Sequence, residues 1–222
     1  MNNQQLYISK ALERAYTYKI LSIIYSPTNL NENLKNLTNA VHESLGDLNG
    51  GLREIVEAVN DVCRVGKAGL LEELFGEMKK FEPLERKLVP GVAIGPTLAD
   101  IAGFYAAFGM QLTKDIPMDH LAVEMEFMAH LALREAYAVL HRNEEMFDTV
   151  VDAQRKFLRD HLSRTAAYIR ALNNVNVSEL DKLAKLCVSF INEELRRFEI
   201  PEIALELCME ASPEDEVRCP FS

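Results

Sequence analysis

The feature that most constrains the fold of this 222-residue chain is a stretch from Asp119 to Glu199 that contains neither proline nor glycine. Proline and glycine are the residues that most strongly interrupt helices, and apolar residues recur here at steps of three and four. The pattern predicts two long helices that break near Arg142 and Asn143. A third helix is predicted to begin at Ser178, where Ser and a following Asp resemble a helix cap.

The N-terminal half has the same helical period. We expect a long amphipathic helix that ends at Ser26 and Pro27, and three further helices over residues 30–46, 51–65 and 70–81. Sustained apolar and polar alternation, which is typical of strands, is absent from the sequence. The sequence therefore predicts an all-α fold, built as a single helical-bundle unit.

A proline- and glycine-rich segment interrupts this pattern over residues 82–96, where we expect a long loop. Thr97 and Asp100 then form a cap-like pair, which predicts that the next helix starts at Thr97. Loops of such length in helical domains often carry function, so this segment is a candidate part of a site.

Charge and hydropathy exclude several classes of partner. The net charge of -10 and the isoelectric point near 5.1 argue against nucleic acid and suit a cationic partner better. The sequence has no apolar run long enough to span a membrane, and the N-terminus does not resemble a signal peptide. We expect a cytoplasmic protein without membrane insertion.

The four cysteines contain no Cys-x-x-Cys pair, which argues against a zinc knuckle or a thioredoxin-type site. Cys208 and Cys219 flank a polar tail, and their role is left open. Spacing also argues against common enzyme sites: the sequence has no paired Glu-x-x-His motif, no His-Glu-x-x-His motif and no phosphate loop. We predict no catalytic residue, no metal and no cofactor.

The most informative ionisable residues lie at the predicted helix start after Pro117. His120 and Glu124 are four residues apart and share one helix face, and Asp119 precedes them. In a structural interpretation, Asp119 caps the helix and His120 pairs with Glu124. In the alternative, these carboxylates bind an incoming cation. The other histidines (His42, His130, His141 and His161) are expected at helix surfaces or boundaries.

Two segments resemble a known family. GFYAAFG from Gly103 and PMDHLAVEMEFMAHL from Pro117 are similar to the Y-x-x-x-G and P-x-D-H-x-x-x-E-x-x-F-M signature of the TorD/DmsD family. FLRDHL from Phe157 and LAKLCVSFINEE from Leu183 resemble its later helices. The sequence departs from the family before the central loop, where KKFEPLERKLVPG replaces the usual motif, and it contains no tryptophan.

The resemblance implies a chaperone that matures molybdenum-containing oxidoreductases and is not an enzyme. It implies two helical subdomains (residues 1–113 and 119–200) joined by a hinge (114–118), followed by an acidic tail (201–222). The client would be a molybdoenzyme catalytic subunit, bound through its twin-arginine leader peptide. By the same resemblance, the residues that line or support the peptide cleft and hinge are Tyr105, Pro117, Asp119, His120, Glu124, Glu126 and Phe127.

Three alternatives stay open. The chain could be an assembly factor of the nitrate-reductase type, a helical scaffold that binds a partner without a leader peptide, or a nucleotide-dependent factor. The last has no phosphate loop to support it. A hinge between helical halves permits either a monomer or a domain-swapped dimer.

Overall fold

The computed structural model describes residues 2–26, 36–39, 41, 51–64, 84–88, 93–112, 115–164 and 178–201. Apart from residues 36–39 and 41, which are also helical, these residues form seven α-helices and one π-helical turn: α1 Asn3–Tyr25, α2 Gly51–Arg64, α3 Glu85–Leu88, α4 Ile94–Ala107, α5 Leu121–Leu140, α6 Glu144–Phe157, the π-helical turn Leu158–Leu162 and α7 Ser178–Arg197. Within them, β-type pairing is limited to an isolated antiparallel bridge between Leu84 and His120. The predicted all-α fold is confirmed.

Helix α1 begins and ends at residues that the local sequence favours. The Asn2 side chain accepts a hydrogen bond from the Gln5 backbone N–H, and the Gln5 side chain accepts one from the Asn2 N–H. This reciprocal pair is a capping box, which satisfies two N–H groups that lack helical partners. The helix ends before Ser26, whose backbone is extended as expected for a residue before proline.

The predicted break between the two long helices is confirmed. Helix α5 ends before His141, and Arg142 adopts a left-handed conformation with φ of 54°. Asn143 then caps α6, because its side chain accepts a hydrogen bond from the Met146 N–H at 2.9 Å. The third helix of this region begins at Ser178, as predicted.

The long loop predicted over residues 82–96 is wrong in its described part, because helical structure occupies much of it. Helix α3 lies within this range, and α4 begins at Ile94. Pro96 fits in the first turn of α4, where a backbone N–H has no helical partner. Thr97 does not cap the helix; its hydroxyl donates to the Ala93 carbonyl oxygen at 3.2 Å.

The centre of the fold is an antiparallel pair formed by α1 and α5. The Lys19 ammonium contacts Glu126 near the start of α5, and the Gln4 amide donates to the Val139 carbonyl oxygen near its end. Helix α5 is apolar on most of its circumference, which is typical of a helix surrounded by others. Its buried apolar residues include Leu121, Met125, Phe127, Met128 and Leu131.

A buried polar cluster joins four helices near the C-terminal end of α5. The Glu135 carboxylate of α5 accepts hydrogen bonds from Arg14 of α1, Gln154 of α6 and Arg197 of α7. Burial opposes ionisation of Glu135, but Arg14 and Arg197 outweigh it and hold the pKa of this carboxyl below its usual value. The charged carboxylate therefore fixes the relative positions of these helices.

Some sequence predictions lie outside the described residues. Residues 36–39 and 41 are helical, in line with the helix predicted over 30–46, but the remainder of that segment is not described. The helix predicted over 70–81, Cys208, Cys219 and the tail after Pro201 also lie outside. The division at a hinge over residues 114–118 stays a prediction.

Candidate functional site

Asp119 lies just before α5 and binds helix α3. Its side chain is fully buried, and its Oδ1 lies 3.0 Å from Nη1 of Arg86. Oδ2 accepts a hydrogen bond from the Arg86 backbone N–H at 3.3 Å, and the Asp119 carbonyl oxygen accepts one from the Glu85 N–H at 2.9 Å. Asp119 therefore holds two successive residues of α3 against the start of α5.

His120, and not Asp119, caps α5. The Nδ1 atom of its ring accepts a hydrogen bond from the Ala122 N–H at 3.1 Å. Burial lowers the pKa of His120 to about 4, although the Asp119 charge acts in the opposite direction. The expected capping by Asp119 is therefore wrong. Because the ring is neutral at neutral pH, its Nδ1 atom can accept this hydrogen bond, and an ion pair with Glu124 is not favoured.

Tyr105 and Pro117 fix the segment that leads into α5. The Tyr105 hydroxyl donates to the Met118 carbonyl oxygen at 3.0 Å, and the His120 N–H donates to the Pro117 carbonyl oxygen at 3.1 Å. Burial raises the pKa of Tyr105 well above its usual value, and three nearby carboxylates raise it further: Glu124, Asp119 and Glu85. Tyr105 therefore remains a hydrogen-bond donor at the centre of an acidic group.

Phe127 lies in an aromatic cluster beneath this segment. Its ring is fully buried, and its centroid lies 4.9 Å from that of Tyr105 and 4.8 Å from that of Phe157. Phe104 and Phe108 also contact it at centroid distances of 6.2 and 5.9 Å. Aromatic pairs at these distances pack favourably, so Phe127 supports the site from the core.

The two glutamates of the predicted site lie in different environments. Glu124 is fully buried on the side of Tyr105. The Glu126 side chain is 38% exposed and contacts the Lys19 ammonium and the Ser22 hydroxyl of α1. The structure thus brings Glu124 together with Asp119 and Tyr105, whereas Glu126 belongs to the contact between α1 and α5.

Several residues that complete this site were not predicted from the sequence. The Glu85 carboxylate is buried, and its two oxygens have different partners: Oε2 lies 2.8 Å from Nδ1 of His161, and Oε1 lies 3.3 Å from Nη1 of Arg164. Nε2 of His161 lies 3.0 Å from Oδ2 of Asp100. We call Glu85, Arg86, Asp119, His161 and Arg164 the carboxylate cluster.

His161 was expected at a helix surface or boundary, and this prediction is wrong because its ring is buried. It lies in the π-helical turn that follows α6. Short π-helical segments occur often at functional sites. The segment FLRDHL, which resembled the family, contains this histidine. A regular helical period does not predict that its ring is buried.

Comparison with known proteins gives one family. The family model described as nitrate reductase delta subunit matches residues 85–169. This match, over 85 of the 222 residues, is consistent with the resemblance to the TorD/DmsD maturation chaperones. The family assists the assembly of molybdoenzymes and acts with their catalytic subunits, which supports the same general role here. A search of curated proteins finds no match to the chain.

The matched segment contains the whole carboxylate cluster, from Glu85 to Arg164. The region similar to the family is thus also the region where buried charges join α3, α4, α5 and the π-helical turn. Across the described residues, no group of three or more His, Cys, Asp and Glu side chains is arranged to hold a metal ion. In the same part of the chain, no helix has the length and apolarity needed to cross a membrane.

Proposed function

We propose that this chain is a cytoplasmic chaperone that binds the twin-arginine leader peptide of a molybdoenzyme catalytic subunit. It would assist maturation of that subunit before export or assembly. The observation that carries the proposal is the pairing of two buried carboxylates, Asp119 and Glu85, with two guanidinium groups, those of Arg86 and Arg164.

The chemistry of the carboxylate cluster suits arginine. A guanidinium group presents several N–H donors in one plane, which matches a carboxylate better than the single ammonium of lysine does. Arg86 and Arg164 approach the buried carboxylates from the solvent side, with side chains that are 29% and 33% exposed. A leader peptide offers two guanidinium groups followed by an apolar stretch, and its apolar part would bind in a groove.

The predicted site residues take different parts in this proposal. Tyr105, Pro117 and His120 position the backbone around Asp119. Phe127 supports the segment from the core, and Glu124 lies buried beside Tyr105. Because Asp119 is fully buried and Arg86 is paired with it, peptide contact requires the Arg86 side chain to move away, and residues 114–118 are the proposed hinge. Glu126 would hold α1 in place during this movement.

The test is a binding titration with the leader of the molybdoenzyme client. We expect a dissociation constant that is micromolar or tighter, or about -8 kcal/mol or more favourable. A leader in which both arginines are lysines should bind more weakly, because lysine keeps the charge and loses the planar donor arrangement. Equal affinity for both leaders would contradict recognition by the carboxylate cluster.

A second candidate function is supported by a different surface. Leu133, Tyr137 and Leu140 lie on one face of α5 and are 53%, 54% and 58% exposed. Exposed apolar groups of this kind often contact partner proteins. This stripe favours an assembly factor that binds the folded catalytic subunit without its leader.

One experiment distinguishes the two candidate functions. A catalytic subunit that lacks its leader should bind weakly if the leader carries recognition, and normally if the apolar stripe does. Tyr137→Glu should reduce binding in the second case alone, because a charge would replace an exposed apolar contact. The variant should fold normally, since the Tyr137 side chain lies on the surface.

A further inference from the structure

The geometry points to Arg86 and Arg164 as internal occupants of the carboxylate cluster, which the arginines of the client displace. This inference rests on the proposed function and adds a regulatory step to it. In the closed state the chain satisfies its own buried carboxylates. In the bound state, guanidinium groups of the client take over one or both of these positions.

Arg86 can leave Asp119 without movement of the backbone. The residue contacts Asp119 twice, through its guanidinium at 3.0 Å and through its backbone N–H at 3.3 Å. The backbone of α3 is held independently by the Glu85 N–H, which donates to the Asp119 carbonyl oxygen, and by the bridge between Leu84 and His120. Release of the side chain therefore frees Oδ1 of Asp119, while Oδ2 keeps its hydrogen bond.

Arg164 has a similar relationship to Glu85. Its Nη1 contacts Oε1 at 3.3 Å, whereas His161 contacts Oε2 at 2.8 Å. Each oxygen has a separate partner, so departure of Arg164 leaves the His161 contact in place. The backbones of the two acidic residues are joined, because the Glu85 N–H donates to the Asp119 carbonyl oxygen at 2.9 Å. We infer that two successive arginines of a peptide bind one carboxylate each.

Displacement by another arginine preserves the balance of buried charge. Removal of a guanidinium without replacement would leave a carboxylate buried and uncompensated, which is strongly unfavourable. Exchange of one guanidinium for another keeps the ion pair and its hydrogen bonds. Ligands without arginine therefore cannot displace Arg86 and Arg164 without leaving a buried carboxylate unpaired. A pair of arginines displaces them with the smallest loss of free energy.

The test measures binding of a fluorescently labelled synthetic peptide, an Arg-Arg pair followed by leucines and alanines, to the full chain. Arg86→Gln removes the internal competitor at Asp119. If the closed state leaves Asp119 available about a tenth of the time, the variant should bind about tenfold more tightly than the wild type. Arg164→Gln should give a smaller increase, because Glu85 retains His161.

Arg159→Gln is the matched control. Arg159 pairs with the neighbouring Asp160 at 2.6 Å, and its side chain is 54% exposed. It lies in the same π-helical turn as His161, but it does not contact Glu85 or Asp119 in the described structure. This variant should bind the peptide with wild-type affinity. A gain as large as that of Arg86→Gln would indicate a general charge effect and overturn the inference.

The outcomes separate the inference from the proposed function. If the wild type binds the peptide and Arg86→Gln binds it equally or more weakly, displacement is overturned and leader binding stands. If neither chain binds, the proposed function fails as well. If only Arg86→Gln binds, the internal arginine is a complete block, which supports the inference.

A second variant covers the case in which Arg86→Gln does not fold, as judged by circular dichroism. Arg86→Lys keeps the charge beside Asp119 but loses the planar donor group. It should bind the peptide more tightly than the wild type, but the increase in affinity should be smaller than the about tenfold increase expected for Arg86→Gln. Affinity at or below the wild-type value would overturn the inference.

Discussion

Nδ1 of His161 lies 2.8 Å from Oε2 of Glu85, although the two residues are 76 positions apart in the sequence. The other ring nitrogen of His161 faces the Asp100 carboxylate at 3.0 Å. His161 therefore links the π-helical turn to α3 and α4, with one carboxylate at each of its two ring nitrogens.

Replacement of His161 by Phe should destabilise the fold by about 1–3 kcal/mol, because a buried carboxylate loses a hydrogen-bond donor. The new ring should retain the packing of the imidazole against Phe157. Urea unfolding followed by circular dichroism measures the change. His141→Phe, at the exposed end of α5, is the control and should change stability by less than about 0.5 kcal/mol. Equal effects of the two substitutions would contradict the structural role of His161.

Stability should fall as the pH decreases from about 6.5 to 4, and His120 should contribute to this loss. Its pKa is about 4 in the fold, against an ordinary value of 6.5, so the unfolded chain binds a proton more readily in this range. The contribution is fully present above pH 6.5, is lost as the pH falls to 4, and is on the order of 3 kcal/mol.

His120→Asn provides the test of this pH dependence. Asparagine is a good N-cap but does not titrate, so the variant should retain α5 and show a flatter stability profile between pH 6.5 and 4. Unfolding free energies at several pH values give the comparison. A variant with the same slope as the wild type would assign the pH dependence to other groups.

Asp119 and Arg86 should be energetically coupled. We expect a double-mutant cycle with Asp119→Asn and Arg86→Gln to give a coupling energy of about 1–3 kcal/mol, because one partner is buried and the other is partly exposed. Denaturant unfolding of the four proteins provides the value. Asp115→Asn is the control, since Asp115 is exposed. Additive effects of the two substitutions would mean that the contact contributes nothing to folding.

Two glutamates of α5 offer a direct comparison of buried and exposed ion pairs. Glu135→Gln should destabilise the fold by about 1–3 kcal/mol, because Arg14 and Arg197 lose one of the two buried carboxylates that they share and retain Glu194. Glu126→Gln removes the pair with Lys19, whose side chain is 39% exposed, and should cost about 0–1 kcal/mol. Thermal unfolding monitored by circular dichroism is sufficient to rank them. The reverse order would show that the buried cluster is not a structural anchor.

Local sequence signals predicted much of the helical structure. The break at Arg142 and Asn143 was predictable because asparagine often caps helices. The absence of proline and glycine after Asp119 predicted the long helices on either side of this break. These features depend on neighbours within a few positions, which a sequence displays directly. The sequence also identified Asp119, Tyr105 and Glu124, which the structure brings together.

The partners of Asp119 were not predictable in the same way. Arg86 is 33 residues away and lies in a segment whose prolines indicated a loop. His161 was missed for a different reason. A π-helical turn changes the spacing of hydrogen bonds, so a residue near it no longer points where a regular helical period would place it. Contacts of both kinds depend on the tertiary arrangement and not on local pattern.

The contact between α1 and α5 also affects how this protein is made. Lys19 and Glu126 are separated by 107 residues, so α1 leaves the ribosome well before its partner helix has been synthesised. At about 5–20 residues per second, the delay is roughly 5–20 s. The face of α1 that carries Lys19 and Ser22 stays uncovered by α5 during that time. The helix pair at the centre of the fold therefore forms only after α1 has passed through an exposed stage during translation.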